Sequence, residues 1–413
     1  MEKNALYAQS GGVTSVINCS MYGVVVAALK SKEIDKVFGA KNGVSGLLKE
    51  ELIDLTQEPR ETIEMLKYTP GAALGSCRRK LKNEEDFNRL FEVFEAHNIK
   101  YFFYNGGNDS MDTAMKIHKM AQRLGYDLKV IGIPKTVDND LMFTDHCPGY
   151  PSVARYTAIS TFEATLDVRS MSYDSTKVFV MESMGRHAGW IAAASALLKK
   201  YEEEGPHIIL FPELPFDKER LLNKVDEMIK KFGHCTIVAS EGIKDEKGNF
   251  VSDMGTTDVF GNKQLGGAGL QIANIIKNEL KLKVHTAIPD YLQRSARHLS
   301  SAIDVQEATA VGIKAVDLAL KGDSGYMVTI ERVSSEPYMW RLGKVGLDKV
   351  ANQTKTLPED FIDSERLMVS EKFIEYALPL VQSEDNIDRW KIPNHYTKFN
   401  WNMVQKKLPE FEL

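Results

Sequence analysis

The amino-acid sequence predicts an α/β protein of two domains, each built on a mainly parallel sheet with helices on both faces. Short apolar runs alternate with longer segments of helical periodicity along most of the chain. The 413 residues, 43% of them hydrophobic, are enough to form two substantial cores. The turn-forming stretch from Cys147 to Pro151 interrupts the alternation and marks the boundary between the domains.

The first domain is predicted for residues 1–148. Its strands are short buried runs, and its helices carry apolar residues at helical spacing. The predicted strands are Ala5–Gln9, Asp35–Ala40, Tyr101–Tyr104 and Val130–Ile133. The predicted helices are Ser15–Lys30, capped by Thr14 or Ser15, Glu84–His97 and Ser110–Leu124.

The second domain is predicted for residues 149–330, and it repeats the same pattern. The predicted strands are Val178–Glu182, His207–Phe211, Thr236–Ser240, Val284–Ile288 and Tyr326–Ile330. The predicted helices are Ala188–Lys199, Lys218–Phe232, Leu265–Leu280 and Ile303–Leu320. Residues 331–413, which hold Trp340, Trp390 and Trp401, are predicted to form an appended helical segment packed on the domains.

Charge and composition exclude several classes of function. A net charge of -5 and a pI of about 6.1 favour neither nucleic acid nor an anionic membrane as partner. The N-terminus shows no signal peptide, and no apolar run approaches membrane-spanning length. The four cysteines are widely spaced, which indicates neither a disulfide framework nor a zinc site. We therefore expect a cytoplasmic protein.

Gly11 and Gly12 lie between the first predicted strand and its helix. Glycines there let a phosphate approach the backbone at a helix N-terminus. An ordinary tight turn explains the pair equally well. Neither a dinucleotide-binding fingerprint nor a Walker loop is present at this position.

The stretch Gly106–Ser110 follows the third predicted strand and begins a helix. Asn108 offers an oxygen to a hydrated Mg²⁺, and Asp109 places a negative charge where a phosphate chain would run. Simple helix capping is the alternative, because Asn, Asp and Ser are all good capping residues.

The stretch Lys135–Asp140 follows the fourth predicted strand and carries the strongest chemical signal. Asp138 and Asp140 can divide the work, one accepting a proton from an attacking hydroxyl and the other helping to hold Mg²⁺. Lys135 can stabilise charge that develops on phosphoryl oxygens. A solvated turn is the weaker alternative. The carboxyl ends of parallel strands bind ligands, so the two stretches together outline a phosphoryl-transfer site.

Several arginines follow glycine-containing or aromatic turns and fit a substrate with more than one phosphate. Arg186, in Met184–Trp190, can grip phosphate with two hydrogen bonds, whereas we assign no chemistry to His187. The other basic positions, each explicable as a surface cation, are Arg78, Arg79, Arg294, Arg297 and His298.

Four stretches in register resemble the phosphofructokinase family. They are Gly106–Ser110, Thr136–Asp140, Met184–Gly189 and Ser240–Gly242, and the resemblance runs from Gly11 to about Arg297. It implies two Rossmann-like domains with the active site between them. It also implies transfer of a phosphoryl group to the 1-hydroxyl of fructose 6-phosphate, with Mg²⁺ required, in glycolysis and gluconeogenesis.

The resemblance implies a role for each matched residue. Asp138 is similar to the base that takes the sugar hydroxyl proton, with Lys135 and Arg186 as the other catalytic residues. The implied substrate ligands are Thr136, Lys177, Met184, Gly185, Glu241, Tyr291 and Arg294. The implied donor ligands are Gly11, Gly12, Arg78, Gly107, Asp109 and Ser110, and the implied metal ligands are Asn108 and Asp140. Lys177 matches a residue contributed by a neighbouring subunit, which implies a homodimer or homotetramer.

Two positions bear on the phosphoryl donor. Family members that use pyrophosphate resemble this chain at Asp109 and Lys135, where ATP-using members generally have glycine. An aspartate at the α-phosphate position repels a nucleotide, since two unit charges about 4 Å apart at a dielectric of about 20 interact by about 4 kcal/mol. Lys135 suits the compact leaving group of pyrophosphate.

Two positions depart from the family pattern. Asn108 replaces a metal-binding aspartate, so a water-mediated contact to Mg²⁺ is expected there. Ser295–Asp304 differs from the bacterial ATP enzymes, which makes Arg297 and His298 candidates for contact with the 6-phosphate.

The preferred hypothesis is a pyrophosphate-dependent, reversible phosphorylation of fructose 6-phosphate. The alternatives are an ATP-dependent 6-phosphofructokinase, a sedoheptulose-7-phosphate kinase, and a non-catalytic sugar-phosphate sensor. Asp138, Asp140 and Arg186 disfavour the sensor, because a pure binding protein needs no proton acceptor.

Overall fold

The computed structural model describes residues 3–252 and 267–381. The strands are β1 (Asn4–Gln9), β2 (Val37–Ala40), β3 (Leu52–Asp54), β4 (Ile99–Gly106), β5 (Lys129–Pro134), β6 (Val178–Ser183), β7 (Ile208–Leu210), β8 (Cys235–Ser240), β9 (Val284–Ala287), β10 (Tyr326–Ser335), β11 (Tyr338–Gly346), β12 (Ile362–Asp363) and β13 (Met368–Val369). The helices are α1 (Ile17–Lys30), α2 (Gly43–Leu48), α3 (Arg60–Met65), α4 (Glu84–Ala96), α5 (Asn108–Leu124), α6 (Tyr150–Met171), α7 (Trp190–Ala194), α8 (Lys218–Phe232), α9 (Ala268–Leu280), α10 (Tyr291–Ser295), α11 (Ala302–Leu320), α12 (Leu347–Val350) and α13 (Glu371–Val381).

Two main sheets organise these elements. The larger is seven-stranded, in the order β11-β10-β5-β4-β1-β2-β3, and its five central strands are parallel. The outer pairs β2–β3 and β10–β11 are antiparallel. The smaller sheet is four-stranded and wholly parallel, in the order β7-β8-β6-β9. The predicted class, α/β with mainly parallel sheets and helices, is confirmed.

Burial on both faces of the large sheet explains its uninterrupted apolar strands. Along β4, Phe102 and Tyr104 pack on one face, with side chains of α4 and α5 such as Phe94. Tyr101 and Phe103 pack on the opposite face, with side chains of α1 and α11. This alternation is the period of two that a strand imposes on its side chains.

The strand predicted from Tyr326 was assigned to the wrong sheet. In the structure β10 pairs parallel with β5 of the larger sheet, and α11 packs against α1. The two helices approach closely at glycines, because a Cβ on Gly23 would lie 2.2 Å from the Thr309 carbonyl oxygen and one on Gly312 2.2 Å from that of Ser20. The chain therefore returns to complete its first sheet after building its second.

Helix α6 was missing from the prediction. It runs for 22 residues, and all six positions from Tyr150 to Arg155 are buried. The buried positions of this helix include many Ser, Thr and Ala residues, so its buried face lacks the strongly apolar stripe on which sequence periodicity depends. Pro151, which belongs to the stretch predicted to form a turn, lies instead in the first turn of this helix, a position that proline tolerates.

Two other predicted boundaries were wrong. Helix α1 begins at Ile17, after Val16, so neither Thr14 nor Ser15 is its cap; the Thr14 hydroxyl instead accepts a hydrogen bond from the Val16 N–H at 3.2 Å. The helix predicted over Ala188–Lys199 is α7 followed by a 3₁₀ turn, Ser195–Leu198. The predicted helical C-terminal segment is confirmed by α12 and α13, although residues 331–381 also contain the end of β10, strand β11 and the short strands β12 and β13.

Two of the tail tryptophans, Trp390 and Trp401, lie outside the described residues. Within the described ranges, none of the helices is both long and apolar enough to cross a membrane.

Candidate active site

The carboxyl ends of β4 and β5 bring Gly106–Ser110 and Lys135–Asp140 together. Gly106 pairs with Pro134 across the two strands, and the Lys135 N–H donates to the Gly106 carbonyl at 3.1 Å. Gly107 is the N-cap residue of α5, and no side chain of the described structure caps that helix. The Ser110 N–H already donates to the Gly107 carbonyl at 3.0 Å, so the N–H groups of Asn108 and Asp109 are those available to an anion. Ser110, also predicted as a donor ligand, is buried beneath Gly106.

The Lys135 amine is the cation at the centre of this cluster. The side chain is 3% exposed, and its Nζ donates to the Gly12 carbonyl oxygen. A Cβ on Gly11, whose φ is +76°, would lie 3.5 Å from Nζ. Burial lowers the pKa of Lys135 to about 8; nearby arginines add to this effect, and the carboxylates of Asp138 and Asp140 oppose it. The Lys135 amine therefore lies directly against the Gly11–Gly12 turn.

Arg294 comes from the second half of the chain to the same turn. Its Nη1 would lie 3.1 Å from a Cβ on Gly12, and its guanidinium lies 3.9 Å from the centre of the Tyr291 ring. Its Nε is buried, with no hydrogen-bond partner among the described residues. Two cations, Lys135 and Arg294, therefore flank the Gly11–Gly12 backbone.

Asp138 is the group whose proton affinity is best matched to catalysis. Burial first, then the charges of Asp140 and Glu241, raises the pKa of Asp138 to about 7, against the opposing charges of Lys135 and Arg186. A general base works best when its pKa lies near the operating pH. Because Glu241 and Arg186 belong to the second half, Asp138 lies where the two halves face each other.

The loop that carries Asp138 is held by short-range and long-range hydrogen bonds. The Thr136 hydroxyl accepts from the Asp138 N–H at 3.1 Å. Asn139 is fully buried in the left-handed region, at φ 54°, and its Oδ1 accepts from the Cys147 N–H at 3.0 Å. Asparagine tolerates this backbone better than most residues. Burial raises the pKa of Asp140.

In the second half, the turns after β6 and β8 interlock. The Gly185 N–H donates to Glu241 Oε1 at 3.2 Å, and the Met184 N–H donates to Gln293 Oε1 at 3.2 Å. Gly185 has φ +133°, and a Cβ there would lie 2.6 Å from the Ala188 carbonyl oxygen. One cluster therefore forms at the carboxyl edge of the smaller sheet, made of Met184, Gly185, Arg186 and Glu241.

Two buried oxygens without hydrogen-bond partners form a candidate magnesium site. Asn108 Nδ2 donates to Asp140 Oδ2 at 3.1 Å, while Asn108 Oδ1 and Asp140 Oδ1 are both buried, with no partner among the described residues. Mg²⁺ prefers oxygen ligands and is commonly held by one or two side chains together with waters and substrate phosphates. These residues fit such an ion, although no group of three His, Cys, Asp or Glu side chains suited to a metal occurs in residues 3–252 and 267–381.

Asp109 lies at the rim of the cluster. Its side chain is 71% exposed and forms an ion pair with Lys80 at 3.1 Å. In full hydration, the repulsion between the Asp109 carboxylate and a nucleotide phosphate about 4 Å away would fall to about 1 kcal/mol. The value of about 4 kcal/mol expected from the sequence is therefore an upper limit. Arg78 is exposed and close enough to Lys135 to affect its pKa, whereas Arg79 pairs with Asp86 at 2.8 Å.

Other candidates lie apart from this cluster. Lys177 precedes β6 and Met184 follows it, so the two residues lie seven positions and about 23 Å apart along the strand. The Lys177 Nζ donates to the carbonyls of Ser172 and Tyr173. Arg297 donates twice to the Lys67 carbonyl, at 3.0 and 2.8 Å, and His298 is exposed. Arg297 is thus already committed to a structural contact.

Sequence reasoning missed the residues that support the site. Lys80 pairs with Asp109, Gln293 holds Met184, and contacts from residues 355–376 reach the Asp138 loop. Asn139 carried a readable signal, because asparagine beside two aspartates in a turn favours the left-handed backbone. The other residues act across long sequence separations and leave no local pattern.

A doubly wound α/β architecture, with helix N-termini, buried cations and paired carboxylates at the carboxyl ends of its strands, defines the class of phosphate-binding transferases. The phosphofructokinase model matches residues 4–319. The chain belongs to the phosphofructokinase family, as the sequence motifs predicted.

Curated relatives and a solved structure agree with this assignment. The chain is 50% identical to the pyrophosphate–fructose 6-phosphate 1-phosphotransferase of Halomonas elongata over 417 residues, covering 100% of both chains. It is 49% identical to the protein of the same name from Xanthomonas campestris, over 416 residues and 99% of each. The crystal structure of the pyrophosphate-dependent phosphofructokinase from Nitrosospira multiformis superposes with a TM-score of 0.87, at 48% identity and 99% coverage of both chains.

Proposed function

We propose that this chain transfers a phosphoryl group reversibly between pyrophosphate and the 1-hydroxyl of fructose 6-phosphate. The observation that carries the proposal is the buried Lys135 amine, which lies against the bare Gly11–Gly12 turn and beside Asp138. Relatives about 50% identical along their full length bear the name of that activity. A buried cation of this kind suits a small, highly charged donor.

The residues divide the reaction between them. Asp138 accepts the proton of the sugar 1-hydroxyl as that oxygen bonds to phosphorus, and the bridging P–O bond of pyrophosphate breaks to release orthophosphate. Lys135 and Arg186 stabilise the charge on the transferred group and the leaving phosphate. Glu241, Met184 and Gly185 orient the sugar, and Arg294 contributes positive charge to the binding of its 6-phosphate.

Asn108 and Asp140 would hold Mg²⁺, through the two oxygens that lack protein partners. When bound, the ion neutralises charge on the phosphoryl oxygens. The pyrophosphate donor is bordered by Asp109, Ser110, Arg78 and the backbone amides that follow Gly107.

The assembly and location follow from the same reasoning. Lys177 lies far from the active-site cluster of its own chain. This supports a role in which Lys177 contacts the substrate bound to a neighbouring subunit of a homodimer or homotetramer. Sedimentation equilibrium tests this, since a monomer at assay concentration excludes the assignment. All four cysteines are unpaired, which supports a proposed location in the reducing cytoplasm.

A donor-exchange assay tests the function. We expect fructose 1,6-bisphosphate to form from fructose 6-phosphate and pyrophosphate, and the reverse reaction to proceed with orthophosphate. ATP serves as the comparison donor, and sedoheptulose 7-phosphate as the comparison acceptor. Turnover with ATP and none with pyrophosphate would establish the ATP-dependent alternative. Binding of sugar phosphate without turnover by either donor would establish the sensor.

The pKa values of the two central groups predict a narrow activity window. A base must be deprotonated, so kcat/KM for pyrophosphate should rise as pH increases through about 7, the pKa of Asp138. A cation must be protonated, so activity should fall above about 8, the pKa of Lys135. Initial rates from about pH 6 to about pH 9 measure this profile. In Lys135→Arg the alkaline limb should move to higher pH; a flat profile in the wild type contradicts both assignments.

A further inference from the structure

The segment Lys355–Leu357, here called the strap, touches the loops of both halves. It lies beyond residues 4–319, the part matched by the family model. The Lys355 N–H donates to the Asp140 carbonyl at 2.8 Å, and the Leu357 N–H donates to Glu213 Oε1 at 2.9 Å. Two amides separated by a single residue therefore connect the Asp138 loop to a carboxylate of the second half.

Glu213 continues this connection to the loop that carries Arg186. The same Oε1 accepts from the Gly189 N–H at 2.9 Å, and a Cβ on Gly189 would lie 2.8 Å from Oε2. Gly189 ends the stretch that contains Arg186 and is the N-cap residue of α7. One oxygen of Glu213 thus joins the strap to the backbone three residues beyond Arg186.

Tyr376, in α13, secures the other loop from a second direction. Its hydroxyl accepts from Asn139 Nδ2 at 3.0 Å and donates to the Asp145 carbonyl at 2.9 Å. Asn139 lies between Asp138 and Asp140, so both carboxylates depend on the placement of its backbone. Removing this hydroxyl leaves a buried amide N–H with no acceptor, which is costly enough to move a loop.

Packing joins the strap and Tyr376 into one unit. Trp190 is 2% exposed, and its Nε1 donates to the Lys355 carbonyl at 3.1 Å. Its ring centre lies 5.5 Å from that of Tyr376. Lys355 Nζ donates to the carbonyls of Thr144 and Asp145 at 3.1 and 2.9 Å. The contacts are therefore continuous from the Asp138 loop to α7.

We propose that the strap, Glu213 and Tyr376 are positioning elements that fix the separation of the Asp138 loop from the Arg186 loop. This inference rests on the proposed function, in which Asp138 and Arg186 act on the same phosphoryl group. Neither Glu213 nor Tyr376 belongs to the proposed ligand set, so both act through the backbone they hold. A displacement of about 1 Å in a reacting group can cost about 100-fold in rate.

Steady-state kinetics of Glu213→Ala, Glu213→Gln and Tyr376→Phe test the proposal. We expect kcat to fall by about 10- to 100-fold in Glu213→Ala and by about 10-fold in Tyr376→Phe, with each KM within about threefold of wild type. Glu213→Gln should keep most activity, because an amide oxygen can accept the same two N–H groups. Tyr126→Phe is the matched control, since the Tyr126 hydroxyl also bonds backbone carbonyls, at 3.1 and 2.8 Å, but far from the site.

Amide hydrogen exchange of residues 136–142 supplies a readout that does not require turnover. We expect faster exchange there in Glu213→Ala and Tyr376→Phe, and unchanged exchange in Glu213→Gln and Tyr126→Phe. Unchanged kcat in folded Tyr376→Phe, or equal losses in Glu213→Ala and Glu213→Gln, would overturn the proposal. If the wild-type protein does not turn over pyrophosphate, the proposed function fails, while unchanged loop exchange in the variants separately refutes the positioning role.

Discussion

In the Asp138→Ala variant we expect kcat to fall by about 1,000-fold, within the range of about 10² to 10⁴ that general-base catalysis contributes. The physical reason is the loss of a carboxylate whose burial raises its pKa to about 7, close to the pH at which it must accept a proton. Fructose 6-phosphate should still bind, because the Gly185 N–H keeps its hydrogen bond to Glu241 and the Met184 N–H keeps its hydrogen bond to Gln293. Calorimetric titration with the sugar phosphate measures that binding beside the rate.

Asp127→Ala is the matched control for this variant. Asp127 is an exposed carboxylate that pairs with Lys129 at 2.9 Å, before β5 rather than after it. Its removal should leave kcat within about twofold, as is usual for surface ion pairs of small energetic value. If turnover in Asp138→Ala stays within a factor of a few of wild type, another group accepts the proton.

The Lys135→Met variant should lose about 100- to 1,000-fold in kcat with pyrophosphate, the usual cost of removing one preorganised donor from a developing anion. Methionine keeps the length of the side chain and removes its charge. The buried amine donates to the Gly12 carbonyl beside the anion-binding turn, and the described structure places only Arg294 comparably close to that turn. Initial rates at saturating pyrophosphate check the loss.

Lys116→Met is the control, because Lys116 is an exposed lysine of α5 that pairs only with Asp112 among the described residues. The Asp109→Gly, Lys135→Gly double variant should gain activity with ATP, since it removes both the rim carboxylate and the amine that favours a compact leaving group. No gain with ATP would contradict the donor argument. Because Asp109 is exposed and paired with Lys80, we expect Lys135 to contribute more than Asp109.

The structural features that depend on residues close together along the chain were predictable from the sequence. Buried runs such as Val130–Ile133 became strands, and the stretches that follow β4 and β5 lie side by side as parallel strand ends require. The family match followed from those same local motifs.

The rest depends on contacts that no local pattern records. Helix α6 was not predicted because its buried positions include many Ser, Thr and Ala residues and form no strong apolar stripe. Strand β10 was placed in the wrong sheet because periodicity does not determine strand order. The support of Asn139 by Tyr376 joins residues 237 positions apart, and tyrosine in a helix gives no hint of such a partner. The candidate catalytic residues therefore lie in local sequence motifs, whereas the residues that hold them in place are distant in sequence.

The late arrival of β10 has a consequence for biosynthesis. Strand β5 is finished at Pro134, but its neighbour begins only at Tyr326, and α11 must also be made before it can cover the Gly23 surface of α1. At about 5 to 20 residues per second, the ribosome takes about 10 to 40 s to supply them. During that interval the nascent chain carries an open strand edge and an uncovered apolar face, a combination prone to aggregation. Shielding by a chaperone would be most valuable to this protein while its second half is being translated.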